Sequence, residues 1–171
     1  MTSPTVTVVA GNPKPSSRTL EAAQLVARAI TGIAPTTVID VIDLGPGLLG
    51  WGDPAVTEAT RAVAASDLVV IASPTFKATY SGVLKLFLDQ FATGDGMAGV
   101  TAVPLMLGAG PAHHLAPELL LKPVLVELGA VIPVQGLYLS DRGFAEPGVL
   151  DPWLARWQPA ITTMLRGRHP S

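Results

Sequence analysis

The polar turn from Gly11 to Thr19 is the part of this chain best suited to binding a phosphate. It follows a β-branched apolar run and offers the hydroxyls of Ser16, Ser17 and Thr19 where an amphipathic segment begins. A helix starting there presents unpaired N–H groups and a partial positive charge, and Arg18 adds a charge-assisted donor. The turn lacks the glycine patterns of P-loops and dinucleotide folds, so nucleoside triphosphate hydrolysis is disfavoured. The simpler alternative is that Ser16 or Ser17 only caps the helix.

A second polar turn opens the segment from Ser73 to Phe91 and follows the apolar run 67–72, which is typical of a buried parallel strand. Open α/β sheets bind ligands at the carboxyl ends of their strands. Backbone groups of this turn could therefore bond the polar edge of a planar ring cofactor, with Phe76 or Tyr80 packed nearby. Alternatively, Tyr80 is a core residue at helical spacing, and Lys77 is an ordinary solvated side chain.

Glycines and histidines follow the fourth apolar run. Gly108 and Gly110 allow the backbone to approach a ligand closely. His113 or His114 could contact that ligand, although a histidine at the start of a helix is more commonly a surface or capping residue. The chain has three histidines, no cysteine and no carboxylate at ligand spacing from this pair, so we expect no metal site.

The composition predicts one domain, residues 1–171, able to bury a core without disulfides or metals. Hydrophobic residues make up 49% of the chain and charged residues only 14%, so much of each helix must be buried in the fold or against another subunit. A net charge of −2 without a basic stripe argues against a nucleic-acid partner. Without cysteine, redox chemistry needs a bound cofactor. We expect no secretory signal, no membrane span and a cytoplasmic location.

Strand-like and helix-like segments alternate along the chain. Five strands, each followed by a crossover, predict a parallel, doubly wound α/β sheet. Pro104 lies inside the fourth strand, where its missing N–H removes a ladder hydrogen bond, so we expect a β-bulge there. The predicted strands are 5–10, 36–42, 67–72, 100–107 and 130–139, and the predicted helices are 17–30, 53–65, 80–91, 112–128 and one beginning at 151.

Three motifs, in this order, resemble the NADPH-dependent FMN reductase family. GNPKPSSRT at 11–19 looks like the family's GSPRxxSRT-type phosphate loop. SPTFKATYSGVLKLFLDQF at 73–91 closely resembles TPxYKxxYSGxLKxxLD, and GAGPAHHLAPELLLKPVL at 108–125 resembles GGTxAHxLxxxxxLKPVL. The chain is similar to the alkanesulfonate-utilisation type of flavin reductase. The resemblance implies a flavodoxin-like fold of three layers, with a five-stranded sheet of order 2-1-3-4-5.

The resemblance also implies which positions bind the cofactors. Asn12 stands where the family usually has Ser, and Lys14 where it often has Arg. A lysine keeps the positive charge but loses the bidentate fork that suits a 2′-phosphate, which bears on the choice between NADPH and NADH. The implied phosphate positions are Ser17, Arg18 and Thr19; those beside the isoalloxazine are Pro74, Thr75, Phe76 and Lys77, with Tyr80 and Ser81 behind them; and those at the far edge of the ring are Gly108, Gly110 and His113.

The activity implied by this resemblance is hydride transfer from NADPH or NADH to FMN, with reduced FMN supplied to a partner monooxygenase. We assign no catalytic residue, because the two cofactors carry the chemistry. The family also implies a homodimer or homotetramer. Two alternatives stay open: a reductase of quinones, azo dyes or metal oxyanions that keeps FMN bound, and a non-enzymatic flavin-binding electron carrier. The near-neutral charge disfavours the carrier, since electron-carrier flavodoxins are usually strongly acidic.

Replacing Arg18 tests the predicted phosphate turn. We expect Arg18→Ala to weaken FMN binding by about 1.5–3 kcal/mol, because it removes a charge-assisted hydrogen bond. A flavin titration of the purified variant measures this loss directly. An FMN affinity equal to that of the wild type would contradict the assignment.

Overall fold

Five parallel strands form one sheet in the order 2-1-3-4-5, as predicted, in the computed structural model, which describes residues 3–168. The strand order reverses between the first and third strands, which is where ligands bind in doubly wound sheets. All four strand pairs are parallel, so the five carboxyl ends lie at one edge of the sheet. The strands are β1 (Val6–Ala10), β2 (Thr37–Asp40), β3 (Leu68–Pro74), β4 (Thr101–Gly108) and β5 (Leu137–Ser140).

Helices cover both faces of the sheet, and two of them begin at predicted caps. The hydroxyl of Ser17 accepts a hydrogen bond of 3.3 Å from the N–H of Leu20. Asp53 accepts from two N–H groups of its own helix, whose first residue is proline. The helices are α1 (Arg18–Thr31), α2 (Pro54–Ala64), α3 (Gly82–Leu88), α4 (Lys122–Glu127) and α5 (Asp151–Arg168); 3₁₀ segments span Val41–Leu49 and Pro111–His113, and a π-helical segment spans Pro117–Leu121.

The sheet is buried on both faces, which explains the continuous apolar runs of its central strands. Along β3, Val69 and Ile71 pack into the core beneath α2, α3 and α4. Val70 and Ala72 point the other way, into the core beneath α1 and α5. Among residues 3–168, no helix combines the length and the apolar character that a membrane span requires.

The bulge predicted at Pro104 is wrong. Pairing between β3 and β4 runs without interruption, with Pro104 opposite Ile71. The N–H of Ala102, two residues earlier, points to the other neighbour and bonds the carbonyl of Val131 at 2.9 Å. The nitrogen of Pro104 faces the same side of β4 as the N–H of Ala102. Strand β5 pairs with β4 only from Leu105 onward, so no β5 carbonyl lies opposite that nitrogen. The proline therefore removes no ladder hydrogen bond.

The boundaries predicted for the segments on either side of Gly129 are also wrong. The continuous helix expected at 112–128 is broken into a 3₁₀ turn, a π-helical segment and α4. Prolines at 117 and 123 lack N–H donors, and between them the N–H of Lys122 reaches the carbonyl of Pro117, five residues back. The strand expected at 130–139 begins only at Leu137, although Val131 forms an isolated bridge with Thr101.

A carboxylate and an amine on this broken helix hold the loop that leads into β5. Glu118 accepts hydrogen bonds from the N–H of Gly136 at 2.6 Å and from the amine of Lys122 at 2.8 Å. Lys122 also donates to the carbonyl of Val134 at 2.9 Å. Burial acts to raise the pKa of Glu118, but these hydrogen bonds and the Lys122 charge together outweigh it and lower the pKa.

The variant Glu118→Gln tests these hydrogen bonds, because their contribution to stability should depend on pH. A lowered folded-state pKa contributes stability that is present above the unfolded-state pKa and is lost as pH falls through the folded-state value. We therefore expect the variant to be less stable by about 1–2 kcal/mol near pH 7, and the difference to be smaller at an acidic pH below the ordinary glutamate pKa of about 4.3. Chemical denaturation at the two pH values measures both effects.

Glu58→Gln is the matched control, because the Glu58 side chain is 71% exposed in its pair with Arg61. It should change stability by less than about 0.5 kcal/mol. A loss in Glu118→Gln that is equal at both pH values would contradict a role for the carboxylate charge.

Candidate flavin site

A cleft of about 390 Å³ lies at the carboxyl ends of the strands, beside the point where the strand order reverses. Nine of the predicted site residues line it: Asn12, Lys14, Ser17, Arg18, Thr19, Pro74, Thr75, Phe76 and Gly108. Lys77, Tyr80, Ser81, Gly110 and His113 lie outside its wall. Three lining residues were not predicted: Leu107, Ala109 and Asp141.

The loop between β1 and α1 is shaped by its own side chains. The amide of Asn12 donates to the hydroxyl of Thr19 at 2.9 Å, and its oxygen accepts from the N–H of Lys14 at 2.9 Å. Asn12 thus ties both halves of the loop together. Ser17 is buried as the N-cap of α1, whereas Arg18, the first helical residue, extends into solvent. The loop therefore places hydroxyls, a helix N-terminus and two cations along one wall.

Ser16 adopts a backbone conformation that is strained for a residue with a side chain, at a φ of 50°. Its N–H donates to the carboxylate of Asp40 at the end of β2, at 2.8 Å. Burial raises the pKa of the Asp40 carboxyl despite that hydrogen bond, and Asp43 nearby raises it further. The other oxygen of Asp40 is buried without a hydrogen-bond partner. Asp40 thus supports the loop from outside the cleft.

The loop after β3 is a tight, strained turn. Phe76 and Thr79 exchange two backbone hydrogen bonds of 2.9 and 3.1 Å. Between them, Lys77 and Ala78 both have positive φ values, of 52° and 69°, as in the tight turns of hairpins. Lys77 does not line the cleft. Phe76 stays on its wall and is 47% exposed.

Thr75 lies at the floor of the cleft. Its N–H bonds the carbonyl of Leu107 at 2.7 Å, so its backbone is satisfied by β4. Its hydroxyl oxygen is buried and has no partner among the described residues. A buried polar atom without a partner is costly, and it commonly marks a place where a ligand or water supplies the hydrogen bond.

Ser81 and Tyr80 support the site from behind. The Ser81 hydroxyl caps α3 by accepting from Leu84 N–H at 3.0 Å, and it donates a short hydrogen bond to the carbonyl of Gly11. Its own N–H bonds the hydroxyl of Ser73 at 2.8 Å. Ser81 therefore joins the loops after β1 and β3. Tyr80 is half-buried against the core beneath α3, in line with the alternative of a core residue.

The loop after β4 approaches the cleft only at its first residues. A Cβ on Gly108 would lie 1.9 Å from the hydroxyl of Tyr138, so no larger residue fits without moving that ring. The same hydroxyl donates to the carbonyl of Gly110 at 2.7 Å. His113 lies with Ala78 in a separate depression of about 240 Å³. The structure thus separates His113 from the cleft.

Asp141 is the charged lining residue that the sequence interpretation missed. It follows β5 directly, and its N–H bonds the carbonyl of Gly108 at 3.0 Å. The rule that strand ends carry site residues would have found it, but the predicted fifth strand ended earlier and the segment after it was not considered. One of its carboxylate oxygens lies 3.6 Å from the guanidinium of Arg18.

A sequence model of the NADPH-dependent FMN reductases matches residues 4–145, which include every residue of the cleft. This chain belongs to that family. Two curated relatives are each named FMN reductase (NADPH) and are 35% identical: one from Escherichia coli strain K12, over 53% of this chain and 47% of the relative, and one from Pseudomonas putida, over 56% and 48%. The chain therefore aligns with about half the length of these curated relatives.

Solved structures share the fold of this chain. An NADH:FMN oxidoreductase (EMOB), in its apo form, is 30% identical with a TM-score of 0.80, over 96% of this chain and 89% of that one. An oxidoreductase from Corynebacterium diphtheriae is 24% identical with a TM-score of 0.67, over 96% and 94%, and it shows the fold alone. The predicted flavodoxin-like architecture and the predicted family are both confirmed.

Ser81→Ala tests the link between the two loops. The substitution leaves the carbonyl of Gly11 and the N–H of Leu84 without their partner in a buried place, so we expect a loss of about 1–3 kcal/mol in the free energy of unfolding. Thr163→Ala is the control, because its hydroxyl bonds within the exposed face of α5. It should change stability by less than about 0.5 kcal/mol. Equal stability of both variants would show that the Ser81 link is unimportant.

Proposed function

We propose that this chain is an NAD(P)H-dependent FMN reductase that transfers a hydride from a nicotinamide nucleotide to FMN and supplies reduced FMN to a partner monooxygenase. One observation carries the proposal: a single cleft combines a phosphate-type helix N-terminus with a floor made by two strand-end loops, in a chain of the FMN reductase family. Membership of the family suggests the reaction, and the cleft is the place where we propose that it occurs.

The residues of the cleft fit FMN. Thr75 lines the cleft, and its buried hydroxyl has no hydrogen-bond partner among the described residues. Gly108 lies on the wall of the cleft and has no side chain, so its backbone could approach a flat ring closely. The wall at the start of α1 offers donors that suit a phosphate dianion.

In this proposal, Ser17, Arg18 and Thr19 hold the phosphate, and Asn12 keeps their loop in shape. Pro74, Thr75 and Phe76, together with Gly108, support the ring, and Ser81 fixes the distance between the two walls. When bound, FMN would accept the hydride of the nicotinamide. The protein aligns the two rings and excludes water, so none of its residues has to move a proton, and alignment supplies much of the rate.

Lys14 bears on the choice of nucleotide. It lies on the rim of the cleft and is exposed, where a point charge can meet the 2′-phosphate of NADPH. We therefore propose NADPH as the donor, with NADH as a weaker one. Lys77, Gly110 and His113 keep their proposed place at the ring only if the loops that carry them move toward the cleft when both ligands bind.

We also propose a homodimer or homotetramer, formed in the cytoplasm, where reduced nicotinamide nucleotides are available. Of the three leucines at 119–121, Leu121 is fully buried, whereas Leu119 is 62% exposed. Leu115 and Leu120 are exposed beside it, around the depression that contains His113. A cluster of exposed leucines of this kind is typical of a subunit interface.

The proposed activity is tested with the purified chain and added flavin. We expect the protein to be colourless and to oxidise NADPH only when FMN is present, because FMN is then a substrate that leaves the cleft. The loss of reduced-nicotinamide absorbance measures the rate, with riboflavin and FAD as comparison flavins. A yellow protein that reduces quinones without free FMN would indicate the bound-cofactor alternative, and no NADPH oxidation with any flavin would reject the proposal.

A further inference from the structure

One ion pair among the residues that the structure describes joins distant parts of the chain. The pairs Glu58–Arg61, Lys85–Asp89 and Glu118–Lys122 each connect residues three or four positions apart. Arg18 and Asp141, in contrast, come from the loops after β1 and β5 and meet across the wall of the cleft. The long-range pair therefore involves the arginine that is proposed to hold the phosphate.

This pair is weak by its geometry. The guanidinium nitrogen lies 3.6 Å from one carboxylate oxygen and 3.4 Å from the backbone carbonyl of Asp141, so the contact is neither short nor bidentate. The Arg18 side chain is 61% exposed. The second carboxylate oxygen of Asp141 is buried and has no hydrogen-bond partner. Arg18 can consequently leave Asp141 at small cost, and it compensates the carboxylate charge only in part.

Asp141 is also the sole acidic side chain on the wall of the cleft, as far as residues 3–168 show. The cationic side chains there are Lys14 and Arg18, so one of two positive charges is offset within the protein itself. A phosphate that enters the cleft must share Arg18 with this carboxylate or take it over. The carboxylate and the phosphate are thus competitors for one guanidinium.

We propose that Asp141 competes with the FMN phosphate for Arg18 and thereby keeps FMN weakly held and exchangeable, as a flavin that leaves after reduction must be. This inference rests on the proposed function, and it makes Asp141 a positioning residue that acts through Arg18. Its effect requires a phosphate on the ligand, so it separates FMN from riboflavin. It also weakens with salt, which screens exposed charges.

The test is a titration of the wild type and of Asp141→Asn with FMN and with riboflavin. We expect Asp141→Asn to bind FMN about two- to fivefold more tightly, because the guanidinium is released to the phosphate. Riboflavin affinity should stay the same. Asp141→Ala, which introduces no amide donor, should give the same gain for FMN. In an Arg18→Ala background, the gain from Asp141→Asn should fall to less than half.

Asp95→Asn, which changes the net charge equally on the loop before β4, should leave FMN affinity unchanged, and thermal unfolding checks that each variant is folded. Weaker binding of both flavins by Asp141→Asn would overturn the proposal, since Asp141 would then accept a hydrogen bond from the ligand. An unaltered FMN affinity, or a gain that stays above half of its size in the Arg18→Ala background, would overturn it as well. Wild type that binds no FMN would instead reject the proposed function, so the two failures are distinguishable.

Discussion

The close approach of Gly11 to the start of α3 is the constraint on which the cleft depends. A Cβ on Gly11 would lie 2.3 Å from the Cβ of Leu84, so the loop after β1 can rest against α3 only with glycine there. The Ser81 hydroxyl bonds the Gly11 carbonyl and the Leu84 N–H at the same point. This contact holds the two loops together. It therefore fixes the distance between the wall of the cleft at the start of α1 and its floor at the end of β3.

Buried side-chain polar atoms without partners lie at the carboxyl ends of the strands. The three such side-chain atoms among the described residues belong to Asp40, Thr75 and Asp141, which end or follow β2, β3 and β5. Parallel strands bring these positions to one edge, where the ladder of hydrogen bonds stops. Of these three residues, Thr75 and Asp141 line the cleft, whereas Asp40 supports the loop after β1 from outside it.

Strained backbone conformations, like the unpartnered polar atoms, occur in loops at the carboxyl ends of the strands. Ser16, Lys77 and Ala78 are the non-glycine residues with positive φ among those described, and all three lie on the loops that flank the cleft. Hydrogen bonds hold these conformations: Ser16 donates to Asp40, and Phe76 and Thr79 bond each other on either side of Lys77 and Ala78. Strained conformations persist where the surroundings over-determine them, which is typical of binding sites. The leucines exposed near His113 belong to a different surface, with a different proposed role.

The sequence by itself determined the strand and helix order, the caps at Ser17 and Asp53, and the polar loop that precedes α1, because these follow from short-range periodicity and turn chemistry. It also carried the family motifs. Tertiary structure decided where β5 begins and why β3 and β4 pair without interruption at Pro104, since both depend on which neighbouring strand each N–H faces. The same holds for the pairing of Asp141 with Arg18 and for the exclusion of His113 from the cleft. Such placements depend on contacts between segments far apart in the chain, and local patterns contain no information about them.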